Sequence, residues 1–382
     1  MKSGYELPPT EERLARRRAR QERERQRRKA RRRRQLALLI AVPLLTLAVF
    51  LLLRGPKPQP RGEEPPAASS AVSGAVSAPE EPPVEPEPVF ALAPTEGTVT
   101  LGEDFPSEFA VLADGETGEI LAEKGSDQLL SPASMTKVLT LLVAAESVTD
   151  WERVFVMDRE TADFCFRHDC SVVGYEVGEE VPARELLYGC ILSSGADASL
   201  GLAALSAGSQ EAFVERMNEK AAELGLSEGA HFTNCVGLYD PEHRCTARDM
   251  ALILRSAMEN ELCREVLTAK RYHTAATEFH PQGQDLSNWF LRRIEDKDCG
   301  NAEVLAAKTG YVAESGSCAA SYAQDAQGRG YLCVTGNAHS AWRTIYDHAE
   351  VYRSYVPCGG SSGGGKEKET GQRSLSGLLF TG

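Results

Sequence analysis

The chain has 382 residues and a formal net charge of −13, but this charge is unevenly distributed along the sequence. Residues 1–35 contain 15 Lys and Arg against 5 Asp and Glu, so the rest of the chain is strongly acidic. The basic run Arg16–Arg34 has no interleaved aromatic residues and leads directly into an apolar segment, which disfavours nucleic-acid binding. The uneven composition also excludes a division of the chain into equal globular domains.

Residues 36–53 form an uncharged, apolar segment that predicts a membrane anchor. As a helix it would be about 27 Å long, which is enough to cross a hydrocarbon core. Arginines crowd its N-terminal side, so residues 1–35 are predicted to be cytoplasmic and the chain after Arg54 extracytoplasmic. A cleaved secretory signal is the alternative, but Arg54-Gly55-Pro56-Lys57 offers no small-x-small cleavage site. We therefore expect a single-pass protein of the cell membrane that contacts the lipid bilayer through residues 36–53.

Two low-complexity stretches bound the predicted folded domain. Residues 54–98 are rich in Pro, Glu, Ala and Ser, a composition that predicts an extended linker without a packed core. Residues 359–382 begin with a Gly-rich run and are expected to be a disordered tail. Residues 99–358 remain as the folded domain, which is long enough to bury a sizeable core.

The hydrophobic pattern of residues 99–358 predicts strands at both ends and helices in the middle. Two strands joined by a turn are predicted over Phe109–Leu121, and a helix over Met135–Ala145. Further helices are predicted over Arg184–Ala207, Gln210–Leu224, Ala247–Asn260 and Trp342–Tyr355, and further strands over Glu303–Lys308, Ser317–Ala323 and Tyr331–Thr335. This order predicts an α/β sandwich whose sheet is assembled from both ends of the chain.

All ten cysteines lie after residue 164, on the side predicted to be outside, where thiols can be oxidised. The closest pairs in sequence are Cys165 with Cys170 and Cys235 with Cys245, and we predict one disulfide, between Cys235 and Cys245. The sequence contains no pair of C-x-x-C motifs, so the spacing of its cysteines does not predict a metal site. Three cysteines lie in apolar runs and are expected to be small buried side chains: Cys190, Cys318 and Cys333.

A Ser-x-x-Lys motif, Ser134-Met135-Thr136-Lys137, lies at a predicted helix start. Residues three apart share a helix face, so the amine of Lys137 can reach the hydroxyl of Ser134. A serine needs a base to become a nucleophile, and a lysine can be that base when desolvation or a nearby cation lowers its pKa. Such a cation is available in Lys308-Thr309-Gly310, which follows about 170 residues later. The two motifs together are the signature of β-lactamases and penicillin-binding proteins.

The stretch from Gly115 to Glu146 resembles the opening of the low-molecular-weight D-alanyl-D-alanine carboxypeptidases, the peptidase S11 family. Further blocks follow in the order of that family: Leu186-Leu187-Tyr188-Gly189, Ser194-Gly195-Ala196-Asp197-Ala198, Phe213–Asn218, His231–Asn234, Gly237-Leu238 and Thr246–Met250. The resemblance spans about residues 108–325. It implies a β-lactamase/transpeptidase-like α/β fold, in which an antiparallel sheet is flanked by helices with a helical subdomain. It also implies a peptidoglycan stem peptide as substrate, β-lactam antibiotics as inhibitors and no cofactor.

The same resemblance assigns roles to individual residues. It implies that Ser134 is the acylated nucleophile, that Lys137 accepts its proton, and that Ser194 belongs to the catalytic set. The oxyanion hole would consist of the backbone N–H groups of Ser134 and Tyr311. The family's Ser-x-Asn motif reads Ser194-Gly195-Ala196 here, so an orienting amide is missing, and water, Asp197 or a main-chain group could replace it. Four residues are expected to bind the substrate, chiefly its terminal carboxylate: Lys308, Thr309, Gly310 and Arg248.

Three functions are compatible with these residues. A carboxypeptidase would release the terminal D-alanine and then hydrolyse the acyl-enzyme. Ala196 favours a catalytically impaired peptidoglycan-binding member of the fold as an alternative. A β-lactamase is the third, although we find no Glu-x-x-Leu-Asn loop of the kind that a class A enzyme uses for deacylation. A Ser-His-Asp hydrolase is disfavoured because His231, His243 and His280 are not accompanied by a Gly-x-Ser-x-Gly elbow.

Overall fold

The computed structural model describes residues 90–357. The predicted cytoplasmic segment, membrane anchor and C-terminal tail, and all but the last residues of the predicted linker, lie outside this range. Within residues 90–357, the helices are all too short or too polar to cross a bilayer.

The main sheet of residues 90–357 joins the two ends of the domain. Its six strands are β1 (Ala93–Thr100), β2 (Phe109–Asp114), β3 (Glu119–Lys124), β4 (Ala302–Val312), β5 (Gly316–Asp325) and β6 (Gly330–Ala338). Their spatial order is β1-β3-β2-β6-β5-β4. Neighbouring strands are antiparallel except for β1 and β3, which are parallel. The sheet is thus assembled from both ends of the chain, as predicted.

Strand β1 includes residues that the sequence assigned to the linker. It pairs with β3 at the edge of the sheet, where the Thr98 hydroxyl donates to Ile120 O at 2.5 Å. Nearly all of its residues are exposed, so the sequence shows no alternation of apolar and polar positions there. The predicted boundary at residue 98 therefore falls inside a strand.

Nine helices lie within residues 90–357: α1 (Lys137–Ser147), α2 (Arg159–Arg167), α3 (Ala183–Leu192), α4 (Ala196–Ala207), α5 (Gln210–Glu223), α6 (Ala247–Glu259), α7 (Glu261–Thr268), α8 (Leu291–Ile294) and α9 (Ala341–Tyr355). Helices α1, α5, α6 and α9 confirm four predictions. The single helix predicted over Arg184–Ala207 is wrong, because the chain breaks between α3 and α4, where Ser194 has a φ of +54°. Three two-stranded ribbons complete the structure: Leu129–Leu130 with Cys245–Thr246, Val154–Val156 with Glu180–Pro182, and Arg271–His273 with Asp285–Ser287.

The central strands of the sheet are buried on both faces. In β2, Val111 and Ala113 belong to one hydrophobic cluster, whereas Ala110 and Leu112 belong to a second. Successive side chains of a strand point to opposite faces, so this run of apolar residues requires a layer of helices on each side. Helices α1–α7 contribute to the first cluster, and α8 and α9 to the second. The structure confirms the predicted fold class.

The predicted Cys235–Cys245 disulfide is wrong, since both residues are free, buried thiols. The Cys235 thiol is directed towards helices α4 and α5, where it donates to Ser199 O at 3.8 Å and Gln210 Oε1 at 3.5 Å. Cys245 instead lies in the ribbon that pairs with Leu130. The tertiary fold thus places the two sulfurs in different environments. Burial is confirmed for the three cysteines in apolar runs, Cys190, Cys318 and Cys333.

Candidate active site

Ser134 lies in a 3-10 turn, Ala133–Thr136, directly before α1. Ala133 has a φ of +47°, a left-handed conformation that costs a non-glycine residue about 1–3 kcal/mol and is typical of functional sites. Two glycines approach this turn closely. A Cβ atom at Gly237 would lie 2.0 Å from Ala133 O, and one at Gly310 would lie 2.9 Å from Ser134 N. Backbone from two distant segments therefore closes around Ser134, and both positions require glycine.

Lys137 is placed to act as a base towards Ser134. Its Nζ lies 3.1 Å from Ser134 Oγ and 2.5 Å from Val236 O. The side chain is buried, and burial lowers the pKa of the amine below its ordinary value. A neutral amine has two N–H donors and one lone pair, so it can donate to Val236 O while its lone pair accepts the Ser134 proton. The predicted contact between the two motif residues is confirmed.

Lys308 forms a second pair with Ser194. Its Nζ donates to Ser194 Oγ at 2.9 Å and to Thr309 O at 2.7 Å. Burial, reinforced by repulsion from Lys137, lowers the pKa of Lys308 to about 7. The left-handed φ of Ser194, in the break between α3 and α4, positions this hydroxyl. The error in the helix prediction thus falls on a residue of the site.

The structure brings together most of the residues named from the sequence. Ser134 and Lys137 form one pair, Ser194 and Lys308 form the other, and the two lysines interact electrostatically. Gly310 connects the strand of Lys308 to the Ser134 turn by its close approach. On the same strand, Thr309 is half-buried and the Tyr311 side chain is 68% exposed. The candidate site therefore lies where the start of α1, the α3–α4 turn and β4 meet.

Arg248 lies near the start of α6 and is engaged in a different set of contacts. Its guanidinium donates to Ser126 Oγ at 2.7 Å and to a carboxylate oxygen of Glu123 at 2.7 Å. This ion pair is partly buried. A role of Arg248 in binding a substrate carboxylate stays a prediction.

The missing amide of the Ser-x-Asn motif is not replaced by Asp197. The carboxylate of Asp197 accepts the backbone N–H groups of Val173 and Gly174, both at 2.9 Å. Ala196 is buried at the first position of α4. Besides Ser134, the amine of Lys137 also forms a hydrogen bond with a main-chain carbonyl, Val236 O. Asp197 is thus engaged elsewhere, whereas a main-chain group does contact Lys137.

His243, which the sequence analysis set aside, supports the Ser134 turn. Burial lowers its pKa to about 4, so the imidazole is neutral near pH 7. Its Nδ1 accepts the N–H of Thr233 at 3.0 Å, so Nε2 carries the proton and donates to Thr136 Oγ1 at 2.8 Å. The Thr136 hydroxyl then donates to Ala133 O at 2.7 Å. These hydrogen bonds hold Ala133, the left-handed residue that precedes Ser134.

Asn234 holds the loop that faces Lys137. Its Oδ1 accepts three consecutive backbone N–H groups, those of Val236, Gly237 and Leu238, at 3.2, 2.7 and 2.9 Å. The carbonyl that binds Lys137 and the glycine that presses on Ala133 both lie in this loop. The block His231–Asn234 is part of the family resemblance, but the support that Asn234 gives to the site follows only from the fold.

A helix-flanked sheet with a Ser–Lys pair at the start of its first long helix, and a Lys-Thr-Gly strand beside it, defines the β-lactamase/transpeptidase-like class of proteins. The profile of the peptidase S11 family, D-alanyl-D-alanine carboxypeptidase, matches residues 96–339, well over half of the sequence. The chain belongs to this family.

Named relatives agree with this assignment. The chain is 31% identical to the D-alanyl-D-alanine carboxypeptidase DacF of Bacillus subtilis over 249 residues, which are 64% of this chain and 61% of DacF. It is 36% identical to DacC of Escherichia coli over 175 residues, 43% of each protein. The chain thus spans less than two thirds of the length of these two curated relatives.

Solved structures resemble the domain closely. The crystal structure of a D-alanyl-D-alanine carboxypeptidase from Mycobacterium tuberculosis superimposes with a TM-score of 0.59 at 26% identity, covering 70% of this chain and 98% of that one. A mutant of the Streptomyces K15 DD-transpeptidase gives a TM-score of 0.59 at 24% identity, covering 65% of this chain and 98% of the other. The second likeness shows the shared fold.

Proposed function

We propose that this protein is a serine-type D-alanyl-D-alanine carboxypeptidase that removes the terminal D-alanine from peptidoglycan stem peptides. The observation that carries the proposal is the 3.1 Å contact between Ser134 Oγ and the Nζ of Lys137, a buried amine whose pKa is lowered. A hydroxyl beside a desolvated amine is the arrangement that makes serine a nucleophile. Membership of the family supports the choice of substrate.

In the proposed mechanism, Lys137 takes the Ser134 proton as Oγ attacks the carbonyl between the two D-alanines. The backbone N–H groups of Ser134 and Tyr311 stabilise the oxyanion that forms. Lys308 and Ser194 hold the carboxylate of the departing D-alanine. The amine of D-alanine leaves with a proton, and water then hydrolyses the ester on Ser134.

The direct test is release of D-alanine from diacetyl-lysyl-D-alanyl-D-alanine by the purified full-length chain, without an added amine. Release under these conditions supports hydrolysis. Release that depends on an acceptor amine would indicate a transpeptidase instead. A binding module would retain the peptide without releasing D-alanine over hours, and rapid nitrocefin turnover would indicate a β-lactamase.

We expect the KM for this anionic peptide to rise with pH above about 7. Lys308 is cationic below its pKa of about 7 and loses its charge as the pH rises through that value, which weakens its hold on the carboxylate. The increase should approach about tenfold per pH unit at most, because one proton is involved. The measurement is kcat and KM between about pH 6 and pH 9, from about one unit below to about two units above that pKa.

Lys308→Arg is the matched control for this pH dependence. A guanidinium stays protonated across the whole range, so the KM of the variant should be nearly independent of pH even if binding is weaker. A flat KM profile in the wild-type protein would contradict the assigned role of Lys308.

Ala196→Asn is expected to raise D-alanine release about 10- to 100-fold, because it restores an amide that can orient the lysine and the substrate. Ala196 is buried, so the larger side chain must also fit among its neighbours. Ala196→Leu has a similar shape without the amide and should give no gain. The comparison is kcat/KM for both variants, with thermal unfolding as a check of folding. Equal activities of the two variants would show that the amide has no role here.

We further propose that residues 36–53 anchor the protein in the cell membrane, with the catalytic domain extracytoplasmic at the end of the linker. The uncharged apolar run and the arginines before it support this topology. Added protease should remove the domain from intact spheroplasts, while residues 1–35 stay protected. Protection of the domain instead would reverse the proposed orientation.

A further inference from the structure

Helix α2 ends in a turn that brings two cysteines together. Asp169 has a φ of +54°, and its N–H donates to Phe166 O at 3.3 Å, while the Cys170 N–H donates to Cys165 O at 3.0 Å. These two bonds form a Schellman motif, in which the side chains at the positions of Cys165 and Cys170 contact each other across the helix end. Both residues are free thiols.

The pKa values of the two thiols are shifted in opposite directions. Their interaction lowers the pKa of Cys170, which is half-buried, and the charge of Lys137 lowers it further. The same interaction, together with burial, raises the pKa of Cys165. Burial raises the pKa of every other cysteine within residues 90–357: Cys190, Cys235, Cys245, Cys263, Cys299, Cys318 and Cys333. Cys170 is therefore the cysteine of this range best suited to attack a disulfide.

The segment that begins directly after this pair supports the active site. Ser171 O accepts the N–H of Ala196 at 2.8 Å. The N–H groups of Val173 and Gly174 both donate to the carboxylate of Asp197 at 2.9 Å. These bonds tie the segment to the first turn of α4, which follows the turn between α3 and α4.

Side-chain packing reinforces this connection. A Cβ atom at Gly189 or at Gly195 would lie 2.7 Å from Val173 Cγ2. Val173 thus packs directly on the backbone of α3 and of the residue that follows Ser194. Restraining the segment 171–174 restrains the turn that carries this serine.

We propose that Cys165 and Cys170 form a reversible disulfide that restrains the segment 171–174, which packs against the Ser194 turn. The Cys170 thiolate attacks one sulfur of a small disulfide such as oxidised glutathione, forming a mixed disulfide and releasing one thiolate. That thiolate takes the proton of Cys165, whose sulfur attacks Cys170 Sγ and releases the second glutathione as a thiolate, which takes from water the proton that Cys170 had lost. Two protein thiols are oxidised and one external disulfide is reduced to two thiols. The ring is short, so the bond adds little loop-closure entropy and suits a reversible role better than a structural one.

The test uses the full-length chain in mild detergent, equilibrated with mixtures of reduced and oxidised glutathione, then alkylated and analysed by peptide mass spectrometry. We expect a Cys165–Cys170 disulfide to form first as the mixture becomes more oxidising. Cys170→Ser and Cys165→Ser should abolish it, while Cys263→Ser, in a buried cysteine outside the pair, should not change it. Two free thiols at positions 165 and 170 in the most oxidising mixture would overturn the proposal, as would preferential pairing of either with another cysteine.

Hydrogen exchange tests the coupling to the site. In the oxidised protein, the amides of Val173 and Gly174 should exchange at least about threefold more slowly than in the reduced protein. Equal exchange rates in the two forms would overturn the coupling. A catalytic effect of the disulfide through the Ser194 turn rests on the proposed function. The disulfide mapping and the hydrogen exchange, in contrast, are both measured without an activity assay. A protein that fails to release D-alanine could therefore still show the disulfide, and the two failures are distinguishable.

Discussion

Ser134→Ala is expected to abolish covalent labelling by a fluorescent penicillin and to lower D-alanine release by about 10⁴-fold or more. The variant keeps the backbone turn, the two glycine approaches and the lysine, but it removes the oxygen that forms the acyl-enzyme. Residual turnover would come only from substrate binding and the oxyanion hole. The measurements are gel fluorescence after incubation with the penicillin and a coupled assay for D-alanine.

Ser131→Ala is the matched control for this experiment. Ser131 lies three positions earlier in the same segment, and its buried hydroxyl has no hydrogen-bond partner within residues 90–357. Its removal should leave labelling unchanged and should not reduce stability. Equal labelling of Ser134→Ala and wild type would show that another residue is acylated, and the proposed mechanism would then be wrong.

Lys137→Met is expected to slow acylation about 10²- to 10⁴-fold while leaving the fold intact. Methionine has a similar length and is apolar, so it fills the buried space but cannot accept the Ser134 proton. It also removes the cost of burying an amine beside Lys308, whose charge repels it. The midpoint of thermal unfolding should therefore be unchanged or higher, and the combination of lost activity with retained stability is typical of a catalytic group.

Lys137→Arg tests whether Lys137 acts as a base or only as a positive charge. Arginine keeps the charge but does not lose its proton at accessible pH, so it should be as inactive as the methionine variant if Lys137 is the base. The measurement is the second-order rate constant for penicillin acylation, with thermal unfolding measured in parallel. Substantial acylation by the arginine variant would assign Lys137 an electrostatic role and would require another base.

Together, these variants would test whether this family member is active without the amide of the Ser-x-Asn motif. In this chain a main-chain carbonyl, Val236 O, contacts the lysine, and Asn234 fixes the loop that presents it. A carbonyl accepts hydrogen bonds but cannot donate one to a substrate, which an amide can. This difference is why Ala196→Asn is expected to improve turnover even though the lysine is already held.

The sequence alone determined the features that depend on neighbours within one helical turn or one strand. The spacing of Ser134 and Lys137 placed both groups on the same face, and periodicity located α1, α5, α6 and α9 and five of the six strands of the sheet, all but β1. Family resemblance added Ser194 and Lys308, which no local rule connects because 114 residues separate them.

The tertiary structure decided everything that depends on long-range packing. The break between α3 and α4 interrupts a continuous helical pattern, because the left-handed Ser194 binds Lys308 and the segment 171–174 binds Ala196 and Asp197 directly after it. The support given by His243, the engagement of Arg248 with Glu123 and the separation of Cys235 from Cys245 have the same origin. Local patterns specify which face of an element is apolar, but the packing of the whole domain specifies which distant groups meet.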